Sequence, residues 1–320
     1  MDWRAKLADY LSARLPGASR VEIVNVRSMP AGASNDTVSL DLRVHVDGEA
    51  FDLPLVLRPE RPDGILAPYD VGRQYRVMRA LSRTAVPVPA VLWYEPDAAV
   101  IGAPFYFMER LFGETLPLFW FAPSGRLRAS ALQLAAIHAV DWRGAGLDFL
   151  LPEGAASPLD GELAAWRLRA ERLRIARAPL LLALGEWLRA NQPADARMAL
   201  LHGDPNPGNY LFDGDAVVGV VDWEVAAIGD PRSDLGFYSA LHTIFGGVPG
   251  PEGRTLLSDA YAGETGIPLH NLEYYEATGL YRMAVVTAGW AGRFTGTASG
   301  YTMDAIARRL SVLLGPRWEA

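Results

Sequence analysis

The chain has 320 residues, half of them hydrophobic, which is enough for more than one ordinary core. Its formal net charge of -7 gives no basic footprint for nucleic acid, and the lack of cysteine excludes disulfides, thiolate metal sites and cysteine nucleophiles. No apolar run approaches the ~20 residues of a membrane span, and the N-terminus does not read as a secretory signal, so a cytoplasmic location is expected.

The opening "MDWRAKLADYLSARLPGA" alternates charged with apolar residues as an amphipathic helix, and it holds Lys6, the only lysine. Strand-like runs follow at 21–29, 37–46 and 51–58, joined by turn-rich segments in the manner of an antiparallel meander. Residues 69–84 then place Tyr75, Met78 and Leu81 at helical spacing. Two more strands are expected in "VPVPAVLWYE" and "PFYFMERLFG", giving a five-stranded sheet with one inserted helix. Beyond Phe112 and Gly113 the character changes. Helical periodicity rich in Leu, Ala and Arg runs through 126–140, 159–177, 180–189, 269–294 and 303–314, so a β-rich lobe at 1–112 precedes a larger helical lobe at 113–320.

One stretch interrupts the helices with strands: "LHGDPNPGNYLFDGDAVVGVVDWE", residues 201–224. Asp213-Gly214 is a strong hairpin signal, since both residues tolerate the positive φ of a tight turn. Folding there puts Asn209 opposite about Gly219 and Asp222 beside roughly Asn206, gathering Asp204, Asn209 and Asp222 at one end. Two carboxylates and an amide suit a hard cation such as Mg²⁺ that keeps waters and also binds phosphate. The set lacks the imidazoles zinc prefers. A calcium loop is the competing metal reading, opposed by Pro205, Pro207 and the missing final Glu, and simple turn capping is the plainest alternative.

"HGDPNPGN" followed by "VVDWE" and "IGDPRSDLGFY" resembles the catalytic and metal-binding segments of the aminoglycoside phosphotransferase family, relatives of the protein kinases, and the resemblance covers nearly the whole chain. It implies an α+β, two-lobed protein-kinase-like fold. It also implies Asp204 as catalytic base toward an acceptor hydroxyl, Asn209 and Asp222 as Mg²⁺ ligands, and ATP as donor with GTP as the alternative. His202 would support the loop, Trp223 would pack in the core, and Asp230-Pro231 would open a helix in which Asp234 either braces the loop or merely belongs to the helix start.

The resemblance places Gly32, Ser34 and Asn35 in a phosphate loop, Arg58 where kinases carry a lysine, and Met108, Glu109 and Leu111 at the adenine hinge. Gln74 stands where a glutamate would pair with the basic residue; it offers a hydrogen bond and no charge, and Asp70 one turn earlier is a candidate substitute. Arg282 and Arg293, three turns apart with Trp290 near them, are candidate acceptor residues for an anionic, partly apolar alcohol, resembling the branch associated with acyl-CoA dehydrogenases that acts on hydroxyacyl groups. A solvated arginine face is the alternative. Glu273 and Glu276 keep a polycationic aminoglycoside open, and the departures at Gln74 and in the sparse glycine loop keep a nucleotide-binding pseudokinase open.

Overall fold

The computed structural model of the chain describes residues 3–29, 37–61, 70–116, 125–151, 154, 157–176, 178–245, 250, 254–291 and 298–318. Of the expected site residues, Gly32, Ser34, Asn35 and Arg293 lie outside these, as does the side chain of Trp290. The chain divides into two compact units, Met1–Ser82 with Val88–Phe112, and Arg83–Pro87 with Gly113–Ala320.

The first unit is built on five antiparallel strands, β1 (Ala18–Met29), β2 (Thr37–Val46), β3 (Glu49–Pro59), β4 (Val91–Glu95) and β5 (Phe105–Glu109), in the order β1-β2-β3-β5-β4. β4 begins only after Pro87 and Pro89, which have no N–H to give a ladder. The period of two along each strand sorts the faces. Leu40, Leu42 and Val44 of β2, Leu55 and Leu57 of β3, and Phe105 and Phe107 of β5 share one core with Leu7 and Leu11 of helix α1 (Trp3–Arg14). Each such side chain contributes about 1.5–3 kcal/mol when fully buried. The alternate residues Thr37, Ser39, Arg58 and Tyr106 fall on the other face; there Tyr106 meets helix α2 (Val71–Leu81).

The second unit carries α3 (Gly125–His138), α4 (Pro158–Arg172), α5 (Pro179–Ala190), α6 (Pro231–Ile244), α7 (Leu256–Thr265), α8 (Leu272–Ala291) and α9 (Ala298–Leu314). α4 stops five residues short of the expected end because Arg174 turns to a positive φ of 60°. The sequence reading missed α7, whose capping box is closed by Ser258 in place of the usual Glu or Gln. Short strands β6 (Glu114–Thr115), β8 (Tyr210–Asp213) and β9 (Ala216–Val220) form one small sheet, and β7 (Ala199–Leu201) pairs with β10 (Ala227–Gly229) in another.

α6 and α8 cross in close contact where Gly236 meets the Tyr275 backbone; a Cβ built there would collide with the Tyr275 carbonyl. Since backbone cannot yield as a flexible side chain does, Gly236→Ala is expected to lower stability by about 1–3 kcal/mol. Chemical denaturation against wild type measures this, and an unchanged midpoint would refute the packing argument.

Candidate active site

Residues 202–206 leave β7 and enter no ladder, so side chains must satisfy their backbone. Asp234, in the first turn of α6, takes the N–H of His202 on Oδ2 and the N–H of Gly203 on Oδ1, both at 2.9 Å. His202 Nδ1 accepts the N–H of Asp204 at 3.2 Å, while Nε2 donates to the Val221 carbonyl at 2.9 Å, which fixes the tautomer because a carbonyl can only accept. The imidazole is fully buried against Trp223, with ring centroids 4.5 Å apart. Gly203 has φ +85°, and a Cβ there would strike the Val225 carbonyl, so only glycine fits.

Asp234 is buried and receives a third donor, His138 Nε2 at 3.1 Å, whose Nδ1 accepts from the Tyr261 hydroxyl at 3.0 Å. Burial alone would push its carboxyl up, but the His138 hydrogen bond and the nearby His202 and Arg282 hold it below its ordinary value. His138 lies 96 residues away in sequence, and no spacing pattern signalled it.

The hairpin turns at Gly214-Asp215, one residue later than expected, and β9 carries a bulge at Val218. Together these correct the register: Tyr210 pairs with Val220, and the Val221 N–H reaches the Asn209 carbonyl at 3.0 Å. Asn209 therefore sits opposite Val221, next to Asp222, and not opposite Gly219. Its amide nitrogen donates to the Asp204 carbonyl at 2.8 Å, which leaves its oxygen as the atom free to meet a cation. Asp222 adopts a left-handed conformation, φ 67° and ψ 56°, at the start of a short 3-10 turn. Burial pushes the Asp204 carboxyl up, His202 opposes this, Asp222 adds to it, and Asn209 and Arg282 oppose it. Its Oδ1 is enclosed without a hydrogen-bond partner.

Among the described residues no group of three or more His, Cys, Asp or Glu is placed to hold a metal. The Asn209 amide oxygen, turned away from the Asp204 carbonyl, and the Asp222 carboxylate nonetheless suit a hard divalent cation that takes its remaining ligands from water and phosphate.

In the first unit Arg58 is buried, donating to the Thr37 hydroxyl at 2.6 Å and lying 3.4 Å from Gln74 Oε1, which also accepts from Tyr106 at 3.3 Å. Gln74 Nε2 is buried with no partner. Asp70 does not take the glutamate's place at Arg58: it is the N-cap of α2, and its carboxylate accepts the Arg73 N–H at 2.8 Å. Met108 is buried on β5. The Glu109 N–H and carboxylate both bind Ala90, at 2.9 Å each, whereas the backbone of Leu111 makes no hydrogen bond among the described residues.

Arg282, expected at an acceptor surface, is only 2% exposed. Its Nη2 donates to the Gly203 carbonyl, and Nη1 lies 3.5 Å from Glu162 Oε1. Glu276 is also buried, with its carboxylate bound by Arg309 at 2.7 and 2.8 Å.

A short strand, a loop braced by Asp234 and His202, and a hairpin carrying Asn209 and Asp222 thus lie together in the second unit. The model of the phosphotransferase enzyme family (APH) matches residues 25–268, and the chain belongs to that family. It is 30% identical to mouse (Mus musculus) acyl-CoA dehydrogenase family member 10 over 84% of its length, but spans only 27% of that relative. Among solved structures, a Ralstonia eutropha protein assigned as an aminoglycoside phosphotransferase shares the fold with a TM-score of 0.68 at 22% identity, covering 98% of this chain and 96% of that one. LicA, solved in complex with AMP, matches at 0.63 with 14% identity over 98% and 99% of the two chains. The fold is accordingly α+β and protein-kinase-like, and no helix among the described residues is long and apolar enough to cross a membrane.

The depressed Asp234 carboxyl fixes a sign. Its stabilisation is complete above the ordinary carboxylate pKa of ~4 and fades as pH falls through the lower folded value. Asp234→Asn is expected to cost roughly 3 kcal/mol near neutrality. In urea unfolding the gap from wild type should narrow as pH falls from about 7 to about 3; a constant gap would show that the charge of Asp234 does not contribute.

Proposed function

We propose that the protein transfers the γ-phosphate of a nucleoside triphosphate to a hydroxyl of a small molecule, with 1–112 as its nucleotide-binding part and 113–320 as its catalytic and acceptor-binding part. The observation that carries this is the braced loop that presents Asp204, with its unpartnered Oδ1, beside Asn209 and Asp222. Asp204 accepts the proton of the acceptor hydroxyl as that oxygen bonds to the γ-phosphorus; the bond to the bridging oxygen breaks and the nucleoside diphosphate departs. Asn209 and Asp222 would hold Mg²⁺, which supplies charge neutralisation to the phosphates. In the first unit, Arg58 is assigned to phosphate, and Met108, Glu109 and Leu111 to the base. Gly32, Ser34 and Asn35 keep their assignment to the phosphate loop.

For the acceptor we favour a hydroxyacyl thioester or related anionic alcohol. The similarity to a chain named for acyl-CoA dehydrogenase supports this class. An aminoglycoside is disfavoured at α8, because the Glu276 carboxylate is already bound by Arg309 and by Thr243 at 3.3 Å. Trp290 and Arg293 remain assigned to the acceptor.

The test is a phosphate-transfer screen with ATP and GTP in the presence of Mg²⁺, across hydroxyacyl-CoA thioesters, aminoglycosides, amino alcohols and sugars. Transfer to a hydroxyacyl-CoA is expected, with kcat falling about 10³-fold in Asp204→Asn. Transfer that survives that substitution would remove Asp204 from its role, and transfer confined to aminoglycosides would overturn the acceptor class.

A further inference from the structure

We propose that Arg282 is a positioning residue for phosphoryl transfer: from inside the helical unit it holds the Gly203 carbonyl, and with it the peptide that carries Asp204. The inference rests on Asp204 being the catalytic base.

The guanidinium is enclosed on every side. Its carbon lies 4.0 Å from the ring centroid of Phe237 on α6 and 4.9 Å from that of Trp166 on α4. Glu162, also on α4, supplies the counter-charge and accepts from the Ser233 hydroxyl at 2.6 Å. Planar stacking and a fixed fork of donors limit the directions in which this arginine can bond. One of them meets the Gly203 carbonyl.

A buried ion pair is weak support for stability, since apolar residues of similar volume often do as well. The pair acquires a purpose from what it touches. The peptide between Gly203 and Asp204 is gripped on both edges, its N–H by His202 Nδ1 at 3.2 Å and its carbonyl by Arg282. The next carbonyl, that of Asp204, is held by Asn209. Arg282 is the member of this set that ties the loop to α8, and through Glu162 to α4. Removing it frees the peptide to rotate and swings the Asp204 side chain with it. At 2% exposure the residue offers no surface to an acceptor.

The test compares wild type with the double variant Arg282→Met/Glu162→Gln, which removes both charges while keeping volume, and with Arg282→Lys, which keeps one donor. Two readouts are taken on the full chain. The first is backbone amide exchange across 199–206 by mass spectrometry in the absence of substrate. The second is steady-state turnover of Mg-ATP with a hydroxyacyl-CoA, or with water as acceptor, beside Asp204→Asn. In the double variant, amide exchange at 203 and 204 is expected to accelerate, and kcat to fall about 100-fold with the KM for ATP little changed. Arg282→Lys should recover most of the loss. Unchanged exchange in a folded double variant overturns the proposal, as does a loss that appears in KM alone. Turnover that persists in Asp204→Asn would instead overturn the assignment of the base, and the exchange result would still decide the role of Arg282.

Discussion

A stretch of backbone at the centre of the second unit has no strand or helix to bond with, and everything chemical in the site depends on how that deficit is met. Asp234 takes two successive N–H groups, His202 the third, and Asn209 and Arg282 take the carbonyls of Gly203 and Asp204 between them. Buried peptide groups left unpaired would each cost about 1–3 kcal/mol, so these contacts form together or the loop does not hold. One consequence is a carboxylate whose position is set by four other side chains. One of its two oxygens, Oδ1, has no hydrogen-bond partner.

The same economy operates in the first unit, in a different form. The alternation of strand residues sends leucine and phenylalanine toward α1 and leaves Arg58 and Tyr106 to meet Gln74 on the opposite face, where Thr37 also accepts from Arg58. A neutral amide there supplies two acceptor directions to two donors. The amide itself brings no charge, and Asp70 caps its helix.

Much of this was legible in the sequence, and the misses have physical causes. The alternating pattern located all five strands, and turn chemistry located the hairpin to within one residue, because both are local properties. The bulge at Val218 is not local. It arises where the ladder accommodates its neighbours, and together with the later turn it moved Asn209 two positions along its partner. Arg282 is a candidate acceptor residue by its spacing to Arg293, with a solvated face as the alternative, but α8 is buried at nearly every described position, so a shared helical face says nothing about solvent there. Thr37 lies directly across the sheet from Arg58 in the observed register, a relation that becomes visible only once the strands are aligned.

The glycine contact between α6 and α8 has a reach beyond packing. α6 carries Asp234 in its first turn, and α8 carries Arg282 one turn past Gly279, whose own missing Cβ would lie 2.7 Å from the Gly236 carbonyl. The two arms that hold the acidic loop are thus spaced by the absence of two methyl groups. Side-chain volume at that crossing therefore sets the spacing between Asp234 and Arg282, and with it the frame from which the 203–204 peptide is held.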